Sequence, residues 1–181
     1  MNTIFFDTRN YLIDKKRKSS GNQVRIYNDR RECIGFIAQG KTALQKNKGL
    51  NIFSAVFEIR NADGVLKVSL SRCRPIFCSK IIIKDADGKK VGSIEQQFSF
   101  FKRNLKVLNA SNEVIAVIYG NKKNLCFTIV NISENEIGEI KRREDSIRSS
   151  GTYDIIIDEI CTSFEDKIAI LSSALAINMV F

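Results

Sequence analysis

The chain of 181 residues has no histidine, no tryptophan and a single proline, Pro75. Without histidine there is no Ser-His-Asp triad and no Cys-His pair, and the commonest zinc ligand is missing. The five cysteines are odd in number and form no C-x-x-C pair, and Cys73 and Cys78 have no evident partner ligands. The opening residues show no secretory signal pattern, so the expectation is a cytoplasmic chain with reduced thiols. With one proline, strand ladders are hardly interrupted. Between residues 50 and 150 no stretch carries the 3.6-residue apolar period of an amphipathic helix of any length.

What is present is ordinary in amount and uneven in sign. Apolar residues make up 44% and charged residues 27%, as in folded domains, and the length suits one domain spanning 1–181. A net charge of +9 favours acidic partners, either nucleic acid or an anionic membrane surface.

A short motif recurs: an apolar alternation, a polar turn, and a second alternation. Its copies are "VRIYNDRRECIGFIA" from Val24, "FEIRNADGVLKVSL" from Phe57, "IIIKDADGKKVGSIE" from Ile81, "LKVLNASNEVIAVIY" from Leu105 and "FTIVNISENEIGEIK" from Phe127. Each centre is rich in Asn, Asp and Gly, which tolerate hairpin-turn conformations. Asp63-Gly64 and Asp87-Gly88 are the strongest turn signals. With "NYLID" and "TYDIIID" added, the hairpins predict about twelve antiparallel strands. "GKTALQKNKGL" has room for one helical turn or two.

"GFIAQGKT" (Gly35 to Thr42) fits the phosphate-loop pattern G-x-x-x-x-G-K-[ST], and "IIIDE" (Ile155 to Glu159) looks like a magnesium-holding strand end. A phosphate loop needs a long helix starting at its lysine, whose N-terminus holds the phosphates. Here Phe36 to Gln39 continue a hairpin strand, and no crossover helices follow to build a parallel sheet. A nucleotide hydrolase is therefore a remote alternative, and no enzyme activity is expected.

The one clear helix lies at about 163–181. Ser163 is a good N-cap, with Glu165 and Asp166 in the first turn, where the dipole favours acids. From Ile168 to Phe181 the chain is apolar on nearly every side, for about fourteen residues or roughly 21 Å. A bilayer core needs about twenty residues, so this helix is expected inside the protein. A closed barrel of about twelve strands has a lumen too wide for its own side chains. The fold class expected is therefore mainly β: a closed antiparallel barrel of about twelve strands around a buried C-terminal helix.

This pattern resembles the tubby C-terminal-like superfamily, and its ending is most similar to the phospholipid scramblases and LURP-one-related proteins. The residues that carry the resemblance are "FEDKIAILSSALAINMVF" and "IIIKDADGKKVGSIEQQFSFFKRNLKVLNASNEVIAVI". It implies a non-enzymatic phospholipid- or phosphoinositide-binding protein, scramblase-like, cytoplasmic and peripheral at the membrane. Scramblases carry an acidic calcium segment before the helix. In the matching stretch Ser149 to Gly151 replace the first pair of acids, leaving Asp154, Asp158 and Glu159 as calcium candidates. No cofactor is expected.

The densest basic run is Lys15, Lys16, Arg17 and Lys18, expected in a loop ending at Ser19-Ser20-Gly21. With Lys141, Arg142 and Arg143 it forms the candidate headgroup site. Arg30-Arg31, Lys89-Lys90, Lys102-Arg103 and Lys122-Lys123 add pairs, several at hairpin tips or strand ends. The alternative is a soluble regulator on the same scaffold, binding protein or nucleic acid, with Phe98, Phe100 and Phe101 available to stack bases.

The chain is expected to show no magnesium-dependent turnover of ATP or GTP. Turnover that disappears in Lys41→Ala would contradict the hairpin reading of Gly35 to Thr42.

Overall fold

The structure, a computed structural model, describes residues 4–18, 21–40, 43–47, 50–73, 80–97, 104–121, 125–143, 152–161 and 163–180. For residues 4, 15–18, 21–23, 43–47, 50–55, 73, 97, 164 and 178–180 of these it describes the backbone alone. The order is α1 (Ile4–Asp7), β1 (Asn10–Lys18), β2 (Gly21–Tyr27), β3 (Cys33–Gln39), β4 (Ala43–Asn47) and β5 (Leu50–Asn61). Then come β6 (Leu66–Cys73), β7 (Lys80–Asp85), β8 (Lys90–Gln97), β9 (Asn104–Asn109) and β10 (Val114–Gly120). The chain ends with β11 (Cys126–Asn131), β12 (Glu136–Arg142), β13 (Tyr153–Ile157) and α2 (Phe164–Val180).

All pairings are antiparallel, and two of them bridge long stretches of chain: β1 with β13, and β3 with β5. These close every strand but β4 into a barrel of twelve. Closure removes the barrel's exposed edges. Strand β4 lies outside the ring, paired with the first residues of β5 from Ala43↔Ser54 to Asn47↔Leu50.

Five hairpins use one turn. Each begins at Asn28, Asn61, Asp85, Asn109 or Asn131, whose Oδ1 accepts the backbone N–H four residues on at 2.8–3.0 Å. The N–H three residues on donates to the first residue's carbonyl at 2.9–3.1 Å. That fourth turn residue is always left-handed: Arg31, Gly64, Gly88, Asn112 and Glu134, with φ of 60–82°. Glycine adopts this conformation freely, whereas a side chain such as that of Arg31 or Glu134 costs about 1–2 kcal/mol.

Two residues past each turn the register slips by one. The unpaired bulge residues are Ile34, Lys67, Val91, Ile115 and Ile137. Four are apolar; Ile137 is buried, and Ile34, Val91 and Ile115 pack against the core. Lys67 is the exception, buried to 7% exposure, its long stem taking the place of a hydrocarbon side chain. The next residue is small or β-branched: Gly35, Val68, Gly92, Ala116 and Gly138. A Cβ on Gly35 would stand 2.3 Å from the Arg60 carbonyl oxygen, and one on Gly92 would stand 2.4 Å from that of Leu108.

Alternate residues of the barrel strands face inward: Tyr11 and Ile13, Val68 and Leu70, Ile81 and Ile83, Phe127 and Ile129, Ile155 and Ile157, all buried. They meet α2, in which every residue from Ile168 to Ile177 is buried. The helix packs against β7, β8, β13 and α1. Its start is capped as expected, the Asp166 N–H donating to Ser163 Oγ at 3.0 Å. Ser173 Oγ donates to the Ala169 carbonyl at 2.7 Å.

Three local expectations are corrected. The stretch with room for helical turns is strand β4. Lys15 to Lys18 are not a loop but the second half of β1, paired with β2 from Lys15↔Val24 to Lys18↔Gly21; Ser19 and Ser20 lie outside the described residues. The short helix α1 was not expected. Phe5 and Phe6 are buried in it with rings edge to face at 5.0 Å, and Tyr11 donates its hydroxyl to the Phe5 carbonyl at 3.1 Å.

Leu171→Asp places a carboxylate at a site with 0% exposure and is expected to abolish folding, since a buried unpaired charge is costly. Truncation before Phe164 is expected to unfold or aggregate the chain. Circular dichroism and gel filtration check both, and a monodisperse, strand-rich truncation would refute a helix-filled barrel.

Candidate functional site

Strand direction sorts the chain's charges to two ends of the barrel. At the first end lie the five turns, α1 and the start of α2. Strands β1 and β12 finish, and β13 starts, at the other. There β1 runs on through Lys15 to Lys18 past its last partner on β13, Ile13↔Tyr153, and Arg142 pairs with Tyr153. The two predicted basic groups, Lys15 to Lys18 and Lys141 to Arg143, therefore share one rim. The side chains of Lys15 to Lys18, and Lys102, Arg103, Lys122 and Lys123 entirely, lie outside the described residues, as do Phe98, Phe100 and Phe101. Arg30, Arg31, Lys89 and Lys90 belong to the turn end.

Two described cations of the rim, Arg143 and Lys141, are engaged on the outer wall. Arg143 grips Asp154 with a two-bond fork, Nε to Oδ2 at 2.6 Å and Nη2 to Oδ1 at 2.8 Å. Lys141 Nζ lies 2.6 Å from Glu139 Oε2. Glu139 also accepts from Cys126 Sγ at 2.9 Å. The hydrogen bond from Cys126, and then the one from Lys141, hold the Glu139 carboxyl below its ordinary range. Glu139 in turn raises the Lys141 ammonium. Burial, followed by the same carboxylate, pushes the Cys126 thiol up to about 11. This chain of groups is written in the sequence only as cross-strand neighbours, Cys126↔Lys141 and Thr128↔Glu139, which cannot be paired before the register is known.

A groove of about 300 Å³ runs along the outer wall over β1, β13 and β12. Leu12 and Ile156 are among its apolar lining, and Arg31, Lys141, Arg143 and Asp154 bring charge to it. In it a rim cation and a turn-end cation line the same concavity.

The calcium candidates are separated. Asp154 stands at the start of β13 and is held by Arg143. Asp158 and Glu159 follow the strand's far end, roughly 13 Å away at about 3.3 Å per residue. Asp158 Oδ1 accepts the Ile160 N–H at 2.9 Å, and Glu159 is paired with Arg9. Among the described residues no group of three or more acids or cysteines is arranged to hold a metal ion.

The described part of the phosphate-loop pattern is almost wholly strand. Gly35 to Gln39 lie in β3, paired with β5 from Gly35↔Asn61 to Gln39↔Phe57. The residues after it, Ala43–Asn47, are strand β4. Lys41 and Thr42 lie outside the described residues. Gly35 serves close packing against the Arg60 carbonyl, which explains that glycine without a phosphate.

Fold and site together define a closed antiparallel barrel on a central helix with its charges divided between two ends. No family model matches the chain, and no curated protein matches it significantly. Among solved structures, it is similar to the X-ray structure of the Arabidopsis thaliana protein AT5G01750, with a TM-score of 0.53 at 9% identity, over 95% of each chain. At that identity the likeness is one of fold. No helix among the described residues is long and apolar enough to cross a membrane.

At about pH 9, where an ordinary thiol is largely ionised, Cys126 is expected to alkylate slowly. Glu139→Gln removes the negative charge beside the thiol, so it lowers the thiol's pKa and speeds alkylation at that site. Peptide-resolved mass spectrometry reads the rate at Cys126, and an unchanged rate would contradict the contact.

Proposed function

We propose that the chain is a non-enzymatic protein of the cytoplasm that binds anionic phospholipid or phosphoinositide headgroups at a membrane surface through its basic rim. The observation that carries this reading is the division of charge. Strand β1 carries Lys15 to Lys18 and β12 with its following residue carries Lys141 to Arg143 to the same end, whereas the turns at the opposite end are rich in Asp and Glu. A basic residue near an anionic surface contributes about 1 kcal/mol. A molecule with such opposed ends is also oriented by the surface field.

The cations do not contribute alike. Arg143 is committed to Asp154 by two short bonds, and a phosphate must compete with that fork. The Lys141–Glu139 pair is more exposed, and solvent screens surface pairs of this kind, so Lys141 is released at little cost. Lys15 to Lys18 therefore lead the binding, with Lys141 and Arg142 next. The resemblance to tubby-like, scramblase and LURP-one-related proteins supports the same ligand class. A buried α2 is not available as an anchor, so attachment is peripheral and reversible.

Co-sedimentation with phosphoinositide-containing vesicles tests the reading. Binding is expected at low salt and should weaken as the Debye length falls from about 10 Å at 0.1 M to about 3 Å at 1 M. Changing Lys15, Lys16, Arg17 and Lys18 to Glu should remove most of it. Wild-type protein that ignores these vesicles at low salt but binds single-stranded nucleic acid would favour the regulator reading.

A further inference from the structure

The turn end combines acid surplus with exposed hydrocarbon. The large apolar side chains most open to solvent include Ile132 at 75%, Ile160 at 62% and Ile156 at 43%. They lie on adjoining elements. Ile132 sits in the turn between β11 and β12, Ile156 on the outer face of β13, and Ile160 in the turn that follows β13. Strands β12 and β13 are paired from Gly138↔Ile157 to Arg142↔Tyr153, and the Asp158 N–H donates to the Ile137 carbonyl at 3.0 Å. That bond fixes the second turn beside the first hairpin. Isolated apolar side chains on a surface are ordinary, but a group on adjoining tips marks an interaction surface.

The charges within the two turns that carry Ile132 and Ile160 are of one sign, whereas Ile156 also lines the groove that Arg31, Lys141 and Arg143 enter. From Asn131 to Glu136 and from Asp158 to Cys161 the chain holds Glu134, Glu136, Asp158 and Glu159 and neither lysine nor arginine. Arg9 reaches in from the start of β1 to pair with Glu159. An anionic bilayer is repelled by these two turns, so lipid is not their occupant. None of the three isoleucines is among the buried core residues.

We propose that the two turns around Ile132 and Ile160 are a docking surface for a cationic amphipathic segment of another protein. Its apolar side chains would cover the isoleucines, and its lysines or arginines would face Glu134, Glu136 and Asp158, the complementarity that sets partner choice and on-rate. This surface shares none of the residues assigned to the headgroup site.

The test uses the full chain and a labelled, helix-forming synthetic peptide of leucine and lysine, with two analogues: glutamate for lysine, and serine for leucine. Fluorescence anisotropy is expected to show binding of the leucine–lysine peptide and far weaker binding of both analogues. Ile132→Ser with Ile160→Ser, and separately Glu134→Lys with Glu136→Lys, should each weaken binding by about tenfold or more, a loss of about 1.4 kcal/mol. Thermal unfolding and vesicle binding of both variants should match wild type, which separates failure of this surface from failure of the basic rim. The proposal is overturned if wild type does not bind the peptide, or if either double variant binds it as wild type does. Self-association of wild type that is lost in Ile132→Ser with Ile160→Ser would also overturn it, since the occupant would then be a second copy of the chain.

Discussion

The rest of the molecule depends on α2 filling the lumen. Twelve strands enclose more space than their own inward side chains can occupy, and an empty interior forfeits both hydrophobic burial and contact. A helix apolar on every side from Ile168 to Ile177 has no stable place in water. Each element is thus unstable without the other. Small residues on the helix, Ala169, Ser172, Ser173, Ala174 and Ala176, let it approach the walls, while isoleucines from the strands supply volume. Ser172 is fully buried and its hydroxyl lacks a partner among the described residues, a cost of about 1–3 kcal/mol that the rest of the helix must offset.

One local device, used five times, shapes the first end. An Asn or Asp side chain closes the turn, a left-handed residue reverses the chain, and a bulge three residues later turns an extra side chain toward the core. The bulge also raises local twist, which helps strands curl into a ring. With Phe5 and Phe6 of α1, the bulge residues finish the core where the strands end. The described residues of the other end show no such repeat, and its strands carry the basic groups. The division of charge is therefore a consequence of topology: alternating strand direction sends turns of one composition to one end and cation-rich strand ends to the other.

Much of this was legible in the sequence because it rests on local signals. The Asn/Asp-rich centres located the five hairpins, and the nearly all-round apolarity from Ile168, broken only by Ser172, Ser173 and Asn178, located the buried helix. What was not legible depends on partners distant in the chain. Lys15 to Lys18 read as a loop by polarity, yet β2 supplies hydrogen bonds that hold them as strand. Strand β4 has weak intrinsic signals and exists through pairing with β5. Helix α1 has four residues and no period to detect. The Cys126–Glu139–Lys141 contacts required a register that only the folded sheet defines. The bulge did have a signal, an apolar residue followed by Gly, Ala or Val six residues past the turn asparagine or aspartate, but Lys67 breaks it in one copy.

The central claim, that barrel and helix fold as one unit with α2 as the core, is tested most directly by native-state amide hydrogen exchange. If it holds, the amides of Ile168 to Ile177 exchange only through global unfolding, with the same free energy and denaturant dependence as those of Ile83, Ile118 and Ile155 in the strands. Exchange of the helix amides at markedly lower free energy, while the strand amides stay protected, would contradict it.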